Sequence, residues 1–332
     1  LCLKCGEVCP TGALQPLADQ LAASSLVDVA DLYAPAVGAF QSDGQQMCLP
    51  ISAGSLVVYY NKALFDAAGQ AYPQAGWTWD DFLAAAQALT KDTSGDGAPD
   101  QYGLDMAPKL NNVLPFVWQN GGQLLTADGS ALAFDTPQAR EALQFVVDWQ
   151  SKYHVAPSQE EETSLDGGGR FEEGTLAMFI DGPETAANLR SLAEDLDWDI
   201  GPLPQKTQPA TILRAEGVCL PAKAAHPDLA WKLIEYLVSA DGQRILAGTG
   251  RVVPVNMAVA QSSAFLDPAK KPASSQVWLD NVPLIQTVPA LKNWPDIEER
   301  ANEEIQSAFY GHTTADTAVE EILAQTGPYL KP

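Results

Sequence analysis

The sequence predicts an α/β protein divided into two lobes, and three observations carry that prediction. The chain has 332 residues, longer than one compact core usually grows. Short β-branched and aromatic runs alternate along it with helical patterns of about ten to fifteen residues, the arrangement of α/β proteins. Its 46% hydrophobic content is enough to fill two cores. No apolar run reaches the length of about eighteen residues that a membrane-crossing helix needs.

The elements follow in order. Met47 to Ser52 and Ser55 to Tyr60 read as two strands separated by a turn at Ala53-Gly54. Thr78 with Asp81 three residues on makes a capping box, and Phe82, Ala86 and Leu89 follow on one helical face. A second helix opens at Thr136-Pro137 and carries Leu143, Val146, Val147 and Gln150 along one side. A third opens at Pro227 with Ala230, Leu233, Ile234 and Leu237 as its apolar positions. Further helices are expected from about Asp296 to Phe309 and from about Thr314 to Gln325, the latter with Ile322 and Leu323 inward. Between them, Leu176 to Ile180, Trp198 to Leu203 and Gly217 to Ala222 read as short strands. No internal repeat or low-complexity linker interrupts the pattern.

Charge narrows the partners. Nineteen basic against 42 acidic residues give a formal charge of −23, which repels phosphate backbones and anionic headgroups, so no nucleic-acid partner is expected. Such self-repulsion favours a soluble monomer. No basic stretch followed by an apolar segment marks an export signal in this chain.

Motifs for chemistry are sparse. There is no P-loop, no dinucleotide fingerprint, no His-Glu-x-x-His and no nucleophile elbow. His154, His226 and His312 stand far apart in turn-like contexts and read as surface histidines. The acidic runs Glu160 to Glu162 and Glu172-Glu173 read as solvated helix starts; a glycosidase pair would need two carboxylates about 5 to 9 Å apart. Cys48 and Cys219, each in an apolar run, read as small buried hydrophobes, and the cysteine spacing implies no disulfide framework. Cys2, Cys5 and Cys9-Pro10 look like the end of a ferredoxin cluster motif. They supply only three of the four thiolates a [4Fe–4S] cluster takes, so an iron–sulfur or other metal-binding role is the alternative reading.

One loop has ligand spacing. Asp92, Ser94, Asp96 and Asp100 stand at positions 1, 3, 5 and 9 with Gly97 at the sixth, much as in a calcium loop, although the glutamate expected at position 12 is absent. Calcium site and Asp/Gly-rich turn both fit that pattern. No cofactor is required by anything else in the chain.

Longer stretches carry a resemblance. LPISAGSLVVYYNKALFDAAG (49–69), the helix WTWDDFLAAAQALT (77–90) and DTSGDGAPDQYG resemble family 1 extracellular solute-binding proteins, the group that includes maltose-binding protein. FEEGTLAMFIDGP (171–183), WDIGPLP, the segment from GVCLPAKAAHPDL to GRVVP and the terminal NEEIQSAFYGHTTADTAVEEIL agree in order, so the resemblance spans roughly residues 12 to 325. It implies the two-lobed periplasmic-binding-protein fold, type II-like, in which a hinge joins the lobes and a ligand cleft lies between them. By family order the first lobe takes 1–108 plus 214–276 and the second 109–213 plus 277–332. The family's chains begin with a β-α-β unit that this sequence starts after.

The resemblance also implies a function without catalysis. Such a protein captures a mono- or oligosaccharide outside the cytoplasmic membrane, in the periplasm or as a lipoprotein on the outer face, and delivers it to the permease subunits of an ABC transporter. Sugars take hydroxyl contacts and ring stacking. The residues expected to supply them, by family loop position, are Ser52, Ser55, Trp118, Gln119, Asn120, Asp181, Arg214, Glu216, Arg251 and Trp278 or Trp294. Trp149, Trp198 and Trp231 are expected in the core. The family's turn after Gly-Pro commonly presents tryptophan to the sugar, whereas here Gly182-Pro183 is followed by Glu184. A glycoside-processing enzyme is the further alternative.

Overall fold

The computed structural model describes residues 12–330, so the Cys2, Cys5 and Cys9 cluster lies outside the described residues. Two compact units emerge. Unit 1 comprises residues up to 55, 182–190 and 213–292; unit 2 comprises 56–181, 191–212 and the residues from 293. Residues 56–108, assigned to the first lobe from family order, thus pack with unit 2, and 182–190 and 277–292 pack with unit 1.

The principal strands, in chain order, are β1 (Cys48–Ser55), β2 (Val57–Asn61), β3 (Met178–Asp181), β4 (Trp198–Gly201), β5 (Thr211–Cys219) and β6 (Ile285–Gln286). The principal helices are α1 (Trp79–Leu89), α2 (Leu110–Gln119), α3 (Pro137–Ser151), α4 (Glu184–Leu192), α5 (Pro227–Val238), α6 (Ala240–Thr249), α7 (Trp294–Phe309) and α8 (Ala315–Leu330). No described helix is long and apolar enough to cross a membrane.

In unit 1, β1 pairs antiparallel with β5 and β6 lies beside β5. Every residue of β1 is buried. The expected turn at Ala53-Gly54 does not form: the strand continues through both residues and breaks only at Leu56. Gly54 serves close packing instead. A Cβ there would lie 2.6 Å from Pro183 Cγ, so only glycine lets the turn before α4 seat on the strand. Aliphatic side chains from β1, α5 and the 252–255 segment, including Leu49, Ile51, Ile234, Val238 and Val255, fill the main core.

Cys48 and Cys219 correct the sequence reading. They face each other across the β1–β5 register, with Cα atoms 4.2 Å apart, and are joined by a disulfide that closes a separation of 171 residues. Apolar surroundings fit either a thiol or a bridge, so only the strand pairing distinguishes them. Of the apolar positions read on α5, Ile234 is buried and Ala230 and Leu237 are half-buried, but Leu233 is exposed, in line with Leu229 and Tyr236 on the outer face.

Unit 2 is built around the antiparallel order β3-β2-β4, with β2 buried throughout. The Thr78–Asp81 capping box is present at the start of α1, whose Phe82, Ala86 and Leu89 are buried. α3 begins at Pro137 with Thr136 as its cap and buries Leu143, Val146, Val147 and Trp149. α7 and α8 pack against each other and against α3.

Candidate functional site

The β5 strand sets out the polar face of unit 1. Side chains alternate along a strand, so Leu213, Ala215 and Gly217 turn inward while Arg214, Glu216 and Val218 are half-buried on the opposite face. Arg214 lies opposite Gly54 and Glu216 opposite Ser52 in the register. Pro183, resting on Gly54, brings the first turn of α4 alongside. There Glu184 Oε1 accepts a hydrogen bond from Arg214 Nη2 at 2.5 Å, with side chains 37% and 29% exposed. The carboxylate also folds over Gly182, where a Cβ would meet it at 2.3 Å. Two glycines therefore fix where Glu184 sits.

The serines belong to the scaffold of this face. Ser52 Oγ accepts from the Val253 amide at 3.2 Å, and the Ala53 amide donates to the Val253 carbonyl at 3.0 Å, which zips the 251–253 segment onto β1. Arg251, two residues before Val253, is exposed. Ser55 Oγ accepts from Asn281 Nδ2 at 2.9 Å and is fully buried.

Other expected residues hold unit 2 together. Gln119, fully buried, accepts from Trp79 Nε1 at 2.7 Å and donates to the Ala210 carbonyl at 3.0 Å. Asn120 donates to the Gln138 carbonyl and to Glu141, each at 2.9 Å. Asp181 ends β3 opposite Val57 and is half-buried. Trp118, Trp278 and Trp294 were expected to stack on a ligand, but they are 2%, 2% and 1% exposed and offer no open ring face in this structure. The signal was present in the sequence: Trp294 shares a helical face with Ile297, Ala301 and Ile305, all buried. Trp149 and Trp198 are buried as expected, while Trp231 is half-buried against the unit 1 core.

Three further groups bear on chemistry. Unit 2 has a surface concavity of about 480 Å³ beside Trp79, Phe145, Glu141 and Lys206. Phe145 covers one face of the Trp79 indole at 4.3 Å, and Lys206 Nζ lies over the same indole at 4.8 Å from its centroid. Asp105, fully buried, is hydrogen-bonded to the half-buried Glu162; burial and the Glu162 charge hold its carboxyl well above the usual range. Burial raises Glu162 as well. Glu162 is thus no solvated helix start, and a direct carboxyl–carboxyl contact is closer than either glycosidase spacing. The three histidines are exposed.

The Asp92–Asp100 loop holds its carboxylates on its own backbone. Asp92 accepts from the Gly95 and Gly97 amides, and Asp100 from the Thr93 and Ser94 amides and the Thr93 hydroxyl, so both stay below the ordinary aspartate range. Ser94 Oγ donates to Asp92 and Asp96 accepts from the Ala98 amide. Among the described residues no group of three or more His, Cys, Asp or Glu side chains is placed to hold a metal ion.

Relatives share this architecture. The chain is 24% identical to the sn-glycerol-3-phosphate-binding periplasmic protein of Shigella dysenteriae, over 93% of this chain and 74% of that one. The solved substrate-binding protein Lmo0181 of Listeria monocytogenes, in complex with cycloalternan, superposes with a TM-score of 0.88 at 24% identity, covering 97% of this chain and 81% of that one. A solute-binding protein of Thermotoga lettingae bound with α-D-tagatose superposes with a TM-score of 0.85 at 24% identity, over 98% and 82% of the two chains. Residues 5–273 match the family described as bacterial extracellular solute-binding proteins, and the chain belongs to that family.

Proposed function

We propose that this chain captures a carbohydrate, a mono- or oligosaccharide, outside the cytoplasmic membrane and hands it to the permease of an ABC transporter. The observation that carries this reading is the superposition, over nearly the whole chain, on binding proteins solved with cycloalternan and α-D-tagatose. The half-buried polar face of unit 1 supports it, since Arg214, Glu184 and Glu216 offer the donors and acceptors that sugar hydroxyls take. Binding rather than turnover is the output. The Cys48–Cys219 disulfide supports a location in an oxidising compartment, the periplasm or the outer face of the membrane.

A thermal-shift screen across saccharides tests the reading. A ligand at 100 times its dissociation constant adds about 2.7 kcal/mol to stability and raises the melting temperature. Calorimetry then gives the affinity, and the recovered sugar should be chemically unchanged. A flat screen across neutral and anionic saccharides would remove the carbohydrate assignment; release of a cleaved product would move the protein to the enzymes.

A further inference from the structure

The arginine on the polar face of unit 1 is already paired with a carboxylate. Arg214 is neutralised by Glu184 at 2.5 Å, and Glu216 extends from the same face of β5 two residues on. Two carboxylates therefore stand with one guanidinium on this face of β5 and the turn beside it. The pairing is built into the backbone. Gly54 lets Pro183 close on β1, and Gly182 leaves room for the Glu184 carboxylate, so a side chain at Gly54 would press on the turn that carries the acid and one at Gly182 on the acid itself.

This pairing bears on which solutes can bind. A phosphate or carboxylate is held by uncompensated cations or by converging backbone amides, and charge-assisted hydrogen bonds to it are the strong ones. An arginine already occupied by a carboxylate offers an incoming anion little net attraction, and a second carboxylate on the same face repels it. Uncharged hydroxyls meet no such penalty. They donate to carboxylates and accept from guanidinium groups alike.

We propose that Glu184 is a selectivity residue: by neutralising Arg214 it sets this face to take an uncharged polyhydroxyl solute and to reject phosphorylated or carboxylated ones. The proposal rests on the carbohydrate reading above. It gains point from a relative named for binding sn-glycerol 3-phosphate, an anionic solute, at 24% identity.

Calorimetry on the whole chain tests it with neutral probes (maltose, maltotriose, α-D-tagatose) and anionic ones (sn-glycerol 3-phosphate, glucose 6-phosphate, glucuronate). The wild type should bind a neutral probe and no anionic one as tightly. Glu184→Gln should gain at least tenfold in affinity for an anionic probe, about 1.4 kcal/mol, relative to its affinity for the neutral one. Glu184→Asp, which keeps the charge, should not, and adding Arg214→Met to Glu184→Gln should erase the gain. Melting curves confirm that each variant folds. Wild-type preference for an anionic probe, or a Glu184→Gln that moves neutral and anionic affinities by the same factor, overturns the selectivity role and leaves the carbohydrate reading standing. A wild type that binds no saccharide of either kind overturns both.

Discussion

Rings of Trp79, Phe82, Phe116, Phe145 and Trp149 form one continuous block in unit 2, with centroids 4.3 to 6.1 Å apart. Among the described residues of unit 1 the one contact between aromatic rings is Phe265 with Trp278 at 6.1 Å. Its core is aliphatic, its strands are tied by the Cys48–Cys219 bridge, and α5 leaves Leu229, Leu233 and Tyr236 exposed. Unit 2 is therefore held chiefly by dense packing, and unit 1 in part by a covalent tie. Aromatic side chains bury large areas and interlock, so deleting one leaves a void that neighbours cannot fill. A bridge instead restricts the unfolded chain.

The largest expected effect breaks the packing side of this contrast. Trp149→Ala removes a fully buried indole in contact with three other rings and should cost about 3 to 5 kcal/mol in denaturant unfolding. Native-state hydrogen exchange should show the loss in α1, α2 and α3. Reduction of the disulfide, or the paired change Cys48→Ser with Cys219→Ser, should cost about 2 to 4 kcal/mol. Its exchange signature should fall on β1 and β5. If both perturbations deprotect the same amides, the two units are not stabilised by different means.

How much of this was legible depends on how local the signal is. The capping box at Thr78, the proline start of α3 and the inward Ile322 of α8 are encoded within about one to four helical turns, and all appear in the structure. The Ala53-Gly54 turn failed because glycine in a strand serves either a turn or a close approach, and the Pro183 neighbour that decides it is more than a hundred residues away. The disulfide failed for the same reason, since its partners are 171 residues apart. At the candidate site, Arg214 and Glu216 were named from family position and lie on one half-buried face of β5, whereas Glu184 was noticed only as a departure. Its role as partner to Arg214 needed the fold. The tryptophans were chosen for their chemistry, and starting the helix at about Asp296 instead of Trp294 hid the periodicity that turns Trp294 inward.

The buried carboxyl pair sharpens the comparison through pH. Asp105 is held above its ordinary value by burial and by Glu162, with Arg170 opposing, and Tyr310 is raised first by burial and then by the same two acids. A carboxyl whose folded pKa lies above its unfolded one favours folding when protonated. That contribution is fully present below about pH 4 and is lost as pH rises through the folded value, by up to about 1.4 kcal/mol per pH unit for one proton. Asp105→Asn, which stays neutral, should therefore gain stability relative to wild type as pH rises from 4 towards 8. A stability difference between the two that does not change with pH would show that the pair does not share a proton.

The smallest effect concerns the Asp92–Asp100 loop, where the two readings of the sequence part. The four ligand positions suit calcium, yet Asp92 and Asp100 already accept hydrogen bonds from loop amides, so an ion could coordinate them only by displacing those bonds. Asp92 is exposed and Asp100 half-buried at the surface, which keeps any contribution modest. If the loop is a self-satisfied turn, Asp92→Ala should lower the melting temperature slightly and by the same amount in calcium and in chelator, because it removes the acceptor for Gly95 and Gly97 in both. Asp96, whose side chain accepts only from the Ala98 amide two residues on, is then the discriminating position. In the turn reading, Asp96→Ala changes little and shows no dependence on calcium. In the metal reading, calcium raises the wild-type melting temperature and Asp96→Ala abolishes the rise, because a coordinating charge is gone. Melting all three proteins in calcium and in chelator therefore separates a turn that organises its own amides from a loop whose carboxylates exchange them for an ion.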